Sequence, residues 1–185
     1  MANKKRATPQ AGKPFALTRR AAQFIAPHTY AVCGCVYWEA AQAVYPSITK
    51  GSVEAYPLAF LCRHSIEAYL KAILCEGGSR IEMTCGKVRE RGHDLGKQVP
   101  DVLRVARSFK MKLSRRTQNA INQIHGVDPG GDKFRYDNDG GATFNVEHFF
   151  EECEKVIAEL REVYERVIEE MTQEATDAIH HEKSS

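Results

Sequence analysis

The sequence predicts an all-α fold built around one central helix and closed by a long C-terminal one. Three observations predict it. Residues 58–74, LAFLCRHSIEAYLKAIL, sort cleanly when placed at about 100° per residue. Apolar and small side chains cover most of the circumference, while Arg63, His64, Glu67 and Lys71 share one wedge. Residues 146–171 carry apolar side chains at spacings of three and four, a stripe lasting roughly four heptads. The other apolar runs are helical in period, with no alternating strand, internal repeat or low-complexity tract.

Taken in order, residues 1–14 are polar and basic with two prolines, and are expected to be a disordered tail. A short helix is expected from Thr18 to Ile25, stopped by Pro27. Thr29 is placed to cap the next helix, whose stripe would be Val32, Cys35, Val36, Trp38 or Glu39, and Ala43. Tyr45-Pro46 ends it. The central helix begins between Ser52 and Pro57 and closes at Gly77-Gly78.

Residues 79–91 suggest a short helix interrupted by Gly86 and ended by Gly92. His93 or Asp94 is positioned as a cap, and Pro100 restarts a helix through Val102, Leu103, Val105, Ala106 and Phe109. Ser114 opens another, through Ala120, Ile121 and Ile124, which ends near His125-Gly126. A loop over 126–144 follows, GVDPGGDKFRYDNDGGATF, with Phe134 and Tyr136 as its anchors. Structureless loops this long are uncommon inside compact domains and are often functional. Asn145 caps the last helix. Its stripe outruns the other helices, which predicts that the distal half meets a second subunit. The segment after Thr176 is expected to fray. The domain is thus placed at 15–176, with tails at 1–14 and 177–185.

Composition bounds the function. The 185 residues suit one domain, and 43% hydrophobic with 27% charged content describes a soluble globular protein. No apolar run nears the ~20 residues that span a bilayer. The basic N-terminus lacks the apolar core of a secretory signal, so a cytoplasmic protein is expected. The six cysteines form no CxxC pair, and are read as mostly small buried apolar residues. From residue 145 onward there are twelve acidic and four basic residues, leaving 22 basic and 12 acidic ahead of them. A basic body with an acidic last helix implies an acidic ligand or pairing between the two surfaces.

Three constellations could carry chemistry. In the wedge, Glu67 lies four residues from both Arg63 and Lys71 and three from His64. Such a row could hold a phosphate, or could be an intrahelical charge ladder under a loop. His93 at a helix start could be a donor or base, or a structural cap. Lys133-Phe134-Arg135-Tyr136 suits stacking and phosphate contacts, or loop anchoring. No P-loop, Rossmann glycine pattern, HExxH or GxSxG occurs.

The order RHSIEAYLKAIL, GHDLGK, FRYDNDGG, ahead of a long C-terminal helix, resembles the HEPN superfamily. It is similar to the prokaryotic branch whose central helix reads RHxxExxLK and whose later segments read HDL and RYP. The resemblance covers about residues 29–171. It implies an up-and-down bundle of four or five helices, often a homodimer. It also implies an association with RNA cleavage, nucleotide binding, toxin–antitoxin pairs with nucleotidyltransferase-type partners, and phage defence. Arg63, His64, Glu67, Lys71, His93, Asp94, Arg135 and Tyr136 map onto the branch's pattern, which does not itself assign their role; they are the expected ligand-binding positions, with His64 and His93 as catalytic candidates. No metal or cofactor is expected.

Two departures stand out. Ribonucleases of the family resemble one another in an arginine followed, after four to six residues, by a histidine. None of the seven histidines here has an arginine at that distance; Arg89 and His93, with three residues between them, come nearest. Asp137 stands where the branch has proline after RY. The expected function is therefore binding of RNA or a nucleotide phosphate, in a cleft closed by the 126–144 loop with Arg135 as a lid contact. The alternatives are a non-catalytic interaction module and a ribonuclease with a rearranged Arg/His site.

Overall fold

Pro27 opens a helix instead of stopping one. In the computed structural model, which describes residues 27–48, 55–136 and 145–183, α1 runs Pro27–Val44. Proline suits a first helical position because its missing N–H would be unpaired there anyway. Thr29 therefore lies inside the first turn and is not a cap. The helix expected at 18–25 lies outside the described residues. A 3₁₀ turn, Tyr45–Ser47, ends α1. α2 spans Ala55–Gly77, followed by a second 3₁₀ turn, Gly78–Ile81. Then come α3 (Cys85–Glu90), α4 (Leu95–Ser108), α5 (Arg115–Val127), the single-turn α6 (Lys133–Tyr136) and α7 (Val146–Lys183). All regular structure among the described residues is helical. Five of these helices, α1, α2, α4, α5 and α7, form the bundle.

α2 is its hub. Sixteen residues from Leu58 to Gly77 are buried, including the four ionisable ones of the wedge. α1, α4 and α7 pack around it, and α5 packs against α7. Gly34 brings α1 close: a Cβ there would lie 2.8 Å from Cδ2 of Tyr69, and Ser65 Oγ donates to the Gly34 carbonyl at 2.7 Å. This contact decides which face of α1 is inside. Gly34, Trp38 and Ala41 are buried, whereas Val32 and Val36, expected on the core stripe, are 59% and 57% exposed. α1 has Glu39 as its one carboxylate and no lysine or arginine, so its sequence marks no polar side, and the close approach selects the face.

Aromatic stacking fixes the far end of α1. The Phe150 ring of α7 lies 4.0 Å from Tyr45 and 5.0 Å from Trp38, centroid to centroid, nearly parallel to both. Each such pair contributes about 0.5–1.5 kcal/mol beyond burial.

Local chemistry explains most boundaries. Side chains of Thr84, Asp94, Ser114 and Asn145 accept from the backbone N–H three residues on, and cap α3, α4, α5 and α7. Gly86 lies within α3 and does not interrupt it. α4 starts at Leu95 under its Asp94 cap, and Pro100 falls inside it. There proline deprives only the Gly96 carbonyl of its helical partner.

The α7 stripe is covered within the chain. Phe150, Cys153, Val156, Ile157, Leu160, Val163 and Val167 are all buried. Val167 reaches the end of α2, where its Cγ1 would be 3.2 Å from a Cβ on Gly77. The expectation that the distal stripe needs a second subunit is therefore corrected: α2 and α5 supply the partners. α7 continues past Thr176 to Lys183, exposed throughout residues 172–181. Arg80 stacks on Phe109, bonds the Ser108 carbonyl and pairs with Glu170 and Glu174, which ties α7 to the end of α4. No helix among the described residues is long and apolar enough to cross a membrane. All six cysteines are free; only Cys62 and Cys153 are buried, and the other four are partly exposed, which corrects the expectation that most are core.

Candidate functional site

One buried carboxylate organises the polar wall of α2. Glu67 is 4% exposed, and both of its oxygens are engaged. Oε2 accepts from Arg63 Nη1 at 2.6 Å, and Oε1 from Lys71 Nζ at 2.6 Å. His93 Nδ1 donates into the same carboxylate, 2.9 Å from Oε1 and 3.1 Å from Oε2. The spacing of four on a helix makes the two cation contacts. The tight turn at Gly92, with φ of 58°, delivers His93 from the loop ahead of α4. Burial alone would raise the Glu67 carboxyl; Lys71 and Arg63 outweigh it and hold the group below the ordinary carboxylate range.

Arg63 is wholly inside, and its guanidinium is fully committed. Besides Glu67 it reaches the His93 carbonyl at 2.5 Å, the Asp128 carbonyl at 3.4 Å and the Asp128 carboxylate at 3.1 Å. The segment after α5 is pressed onto it: a Cβ on Gly131, whose φ is 81°, would lie 3.0 Å from the guanidinium. Asp128 also accepts from the Lys133 backbone, and Phe134 is buried beneath α6. The segment expected to be a structureless loop is thus partly helical, and it closes over Arg63. Arg63 is an internal strut, which corrects its expected role as a ligand contact. Asp128 is the residue sequence reading missed. Its signal was an acid just before Pro129-Gly130-Gly131, a turn-forming sequence that can bring a carboxylate back to α2.

The rest of the wall is more open. The His93 side chain is 54% exposed, and that of Lys71 is 11% exposed. His64 points Nδ1 at the Phe60 carbonyl, 3.0 Å away, and packs between the Phe60 and Tyr37 rings, 4.0 and 5.6 Å between centroids. Its own ring centroid is 6.1 Å from that of His93. Lys71 Nζ lies 5.9 Å from the centre of the Tyr30 ring. Burial raises the Tyr30 hydroxyl, assisted by Cys75 and opposed by a hydrogen bond from Arg89. Arg89, Tyr30, Lys71, Glu67 and His93 therefore form one connected row, bordered by the aromatic faces of Tyr37 and Phe60.

Asp94 sits beside this row as the α4 cap, paired to Lys97 at 3.1 Å and 3.7 Å from His125. Partial burial would raise its carboxyl, but the Lys97 contacts lower it overall. Its carboxylate serves as the structural cap of α4. Arg135 and Tyr136 belong to α6, and their side chains lie outside the described atoms, as does the remainder of the expected lid at 137–144.

The arrangement has definite chemical capacity. Glu67 accepts Nδ1–H of His93, which fixes that tautomer and makes Nε2 the lone-pair nitrogen. A carboxylate-oriented imidazole at a cleft mouth can donate to an anion when protonated or take a proton when neutral. Ligand atoms of His64, Glu67 and His93 also come within 4.8 Å of one another, a spacing that a small cation could bridge. Glu67, however, is already bonded to Arg63 and Lys71, two cations that repel a divalent ion. The donor set fits an anion better. No family model, curated protein or solved structure matches this chain.

Proposed function

We propose that the chain is a HEPN-like helical domain that binds the phosphate of RNA or of a nucleotide at the rim formed by Lys71, Arg89 and His93. The observation that carries the reading is the buried Glu67, which holds Lys71 and His93 side by side with the imidazole facing outward. Tyr30, Tyr37 and Phe60 supply flat faces against which a base could lie. Arg63 takes no part in binding; it stiffens the wall. A cytoplasmic setting, a homodimer and a role in toxin–antitoxin or defence systems belong to this proposal through the HEPN resemblance.

The test is titration of the purified protein with adenosine monophosphate and with short single-stranded RNA at low salt. Binding is expected for wild type, weakened at least roughly tenfold by His93→Ala, with the fold retained, because the histidine is half exposed, leaves no cavity, and Glu67 keeps Arg63 and Lys71. Wild type that binds neither probe refutes the reading.

A second reading has its own support. The Glu67–His93 dyad stands beside His64, their ring centroids 6.1 Å apart, and two imidazoles can serve as the acid and the base in cleavage of RNA without metal. Cleavage of single-stranded RNA in chelator, abolished by His93→Ala, would establish it. Intact RNA would remove it.

A further inference from the structure

The outward face of α4 is basic from end to end. Its exposed positions are Lys97, Pro100, Arg104 and Arg107, spaced three or four apart and so in line along the helix. The line begins beside His93 and ends at the turn into α5. There Arg107, Lys110, Lys112 and Arg115 surround a cleft of about 560 Å³, with Leu103, Met111 and Leu113 as its floor and Gln118 at its side. None of these four cations has an ion-pair partner among the described residues, while Lys97 and Arg104 are paired with Asp94 and Asp101.

The turn that presents the cleft is fixed. Met111 N–H donates to the Ala106 carbonyl at 2.8 Å and Lys110 N–H to that of Arg107 at 3.0 Å. Lys110 has a φ of 57°, a left-handed conformation that helix ends usually assign to glycine. The chain accepts that strain and keeps a cation there. On the other side of the turn, α7 presents Glu162, Glu165, Glu169 and Glu170 around a single cation, Arg166, which pairs with Glu169 and Glu170 and leaves the ridge net acidic. The surface is therefore bipolar, with a cationic track on α4 and an anionic ridge on α7.

We propose that this track is a second binding site, which takes the phosphodiester backbone of a single-stranded nucleic acid along α4 and seats it in the Arg107–Arg115 cleft. The 14 residues of α4 span about 21 Å, longer than any mononucleotide. Lined-up cations one helical turn apart match a repeating anion, and the apolar cleft floor offers surface to sugars and bases. The acidic ridge repels the strand from α7 and so sets its course. The outer cleft stands on its own geometry. The inner end, where the strand would meet His93, rests on the phosphate-binding reading, and there the ligand becomes a polynucleotide rather than a free nucleotide.

The experiment compares wild type with the Arg107→Ser/Lys112→Ser/Arg115→Ser variant, all three positions being exposed. The probes are adenosine monophosphate and a labelled oligonucleotide of about 12 nucleotides, in RNA and DNA forms, titrated by anisotropy across a salt series. The oligonucleotide should bind wild type with a steep salt dependence. The variant should bind at least roughly tenfold more weakly, and its log–log salt slope should be shallower by about 2, from three lost contacts at ~0.7 each. Adenosine monophosphate binding should not change. Equal oligonucleotide affinity and slope in both proteins overturn the proposal. So does wild type that binds the mononucleotide but no oligonucleotide, which leaves the rim reading intact. If the oligonucleotide binds through the cleft and neither probe's binding responds to His93→Ala, the track stands and the rim reading fails. Salt-sensitive self-association lost in the variant, without nucleic-acid binding, would assign the cleft to the acidic helix of a second copy and overturn the proposal.

Discussion

Replacing Glu67 by glutamine keeps the side-chain shape and removes one buried charge. Three groups depend on that charge: Arg63 and Lys71, each at 2.6 Å, and His93 at 2.9 Å. Breaking a buried ion pair from one side costs about 3–5 kcal/mol, because the partner stays buried without compensation. Two features place this case at the lower end. Arg63 keeps the Asp128 carboxylate at 3.1 Å and two carbonyls. The Lys71 side chain is 11% exposed, so its ammonium has a short path to water. The expected loss is therefore about 3 kcal/mol, which for a domain of this size lowers Tm by about 6–12 °C. Thermal melts followed by circular dichroism, with urea unfolding for the free energy, would measure it. Adding Lys71→Met to Glu67→Gln should restore part of the loss, since the stranded cation is removed with its partner. A Tm drop below about 2 °C, or a double variant worse than the sum of the singles, would refute the view that Glu67 neutralises buried cations.

The same carboxylate predicts a pH dependence. Its folded pKa lies below the unfolded 4.5, so its contribution is complete above that value and is lost as pH falls through the folded pKa. Urea midpoints should fall on acidification below about 4.5, and less steeply in Glu67→Gln; identical pH profiles would contradict this. Leu160→Asp and Val167→Asp should unfold the monomer, at more than about 4 kcal/mol each, because both side chains are fully buried within the chain. A folded protein with wild-type Tm would show that α7 is not packed as described. Gly131→Ala should destabilise by about 1–3 kcal/mol, through its positive φ and a Cβ only 3.0 Å from the Arg63 guanidinium; an unchanged urea midpoint would mean that this segment does not press on Arg63.

The sequence by itself determined what depends on near neighbours in the chain. Periodicity made the fold all-α and made α2 its hub, since a helix apolar on most sides must be surrounded. Caps at Ser114 and Asn145 were legible because a capping side chain acts within three residues. The i,i+4 ladder of Arg63, Glu67 and Lys71 was legible for the same reason. What the tertiary structure decided were pairings between distant segments. Asp128 reaches Arg63 across 65 positions, and this turns a candidate ligand arginine into an internal strut. His93 reaches Glu67 across 26 positions, which gives that carboxylate its third partner. The apolar face of α1 was misread because its sequence is weakly polarised, so the close approach at Gly34 chose the face. The α7 stripe was assigned to a second subunit because periodicity shows that a face must be buried but not what buries it. Those outcomes depend on how helices meet, and packing geometry is a property of the assembled core rather than of any one segment.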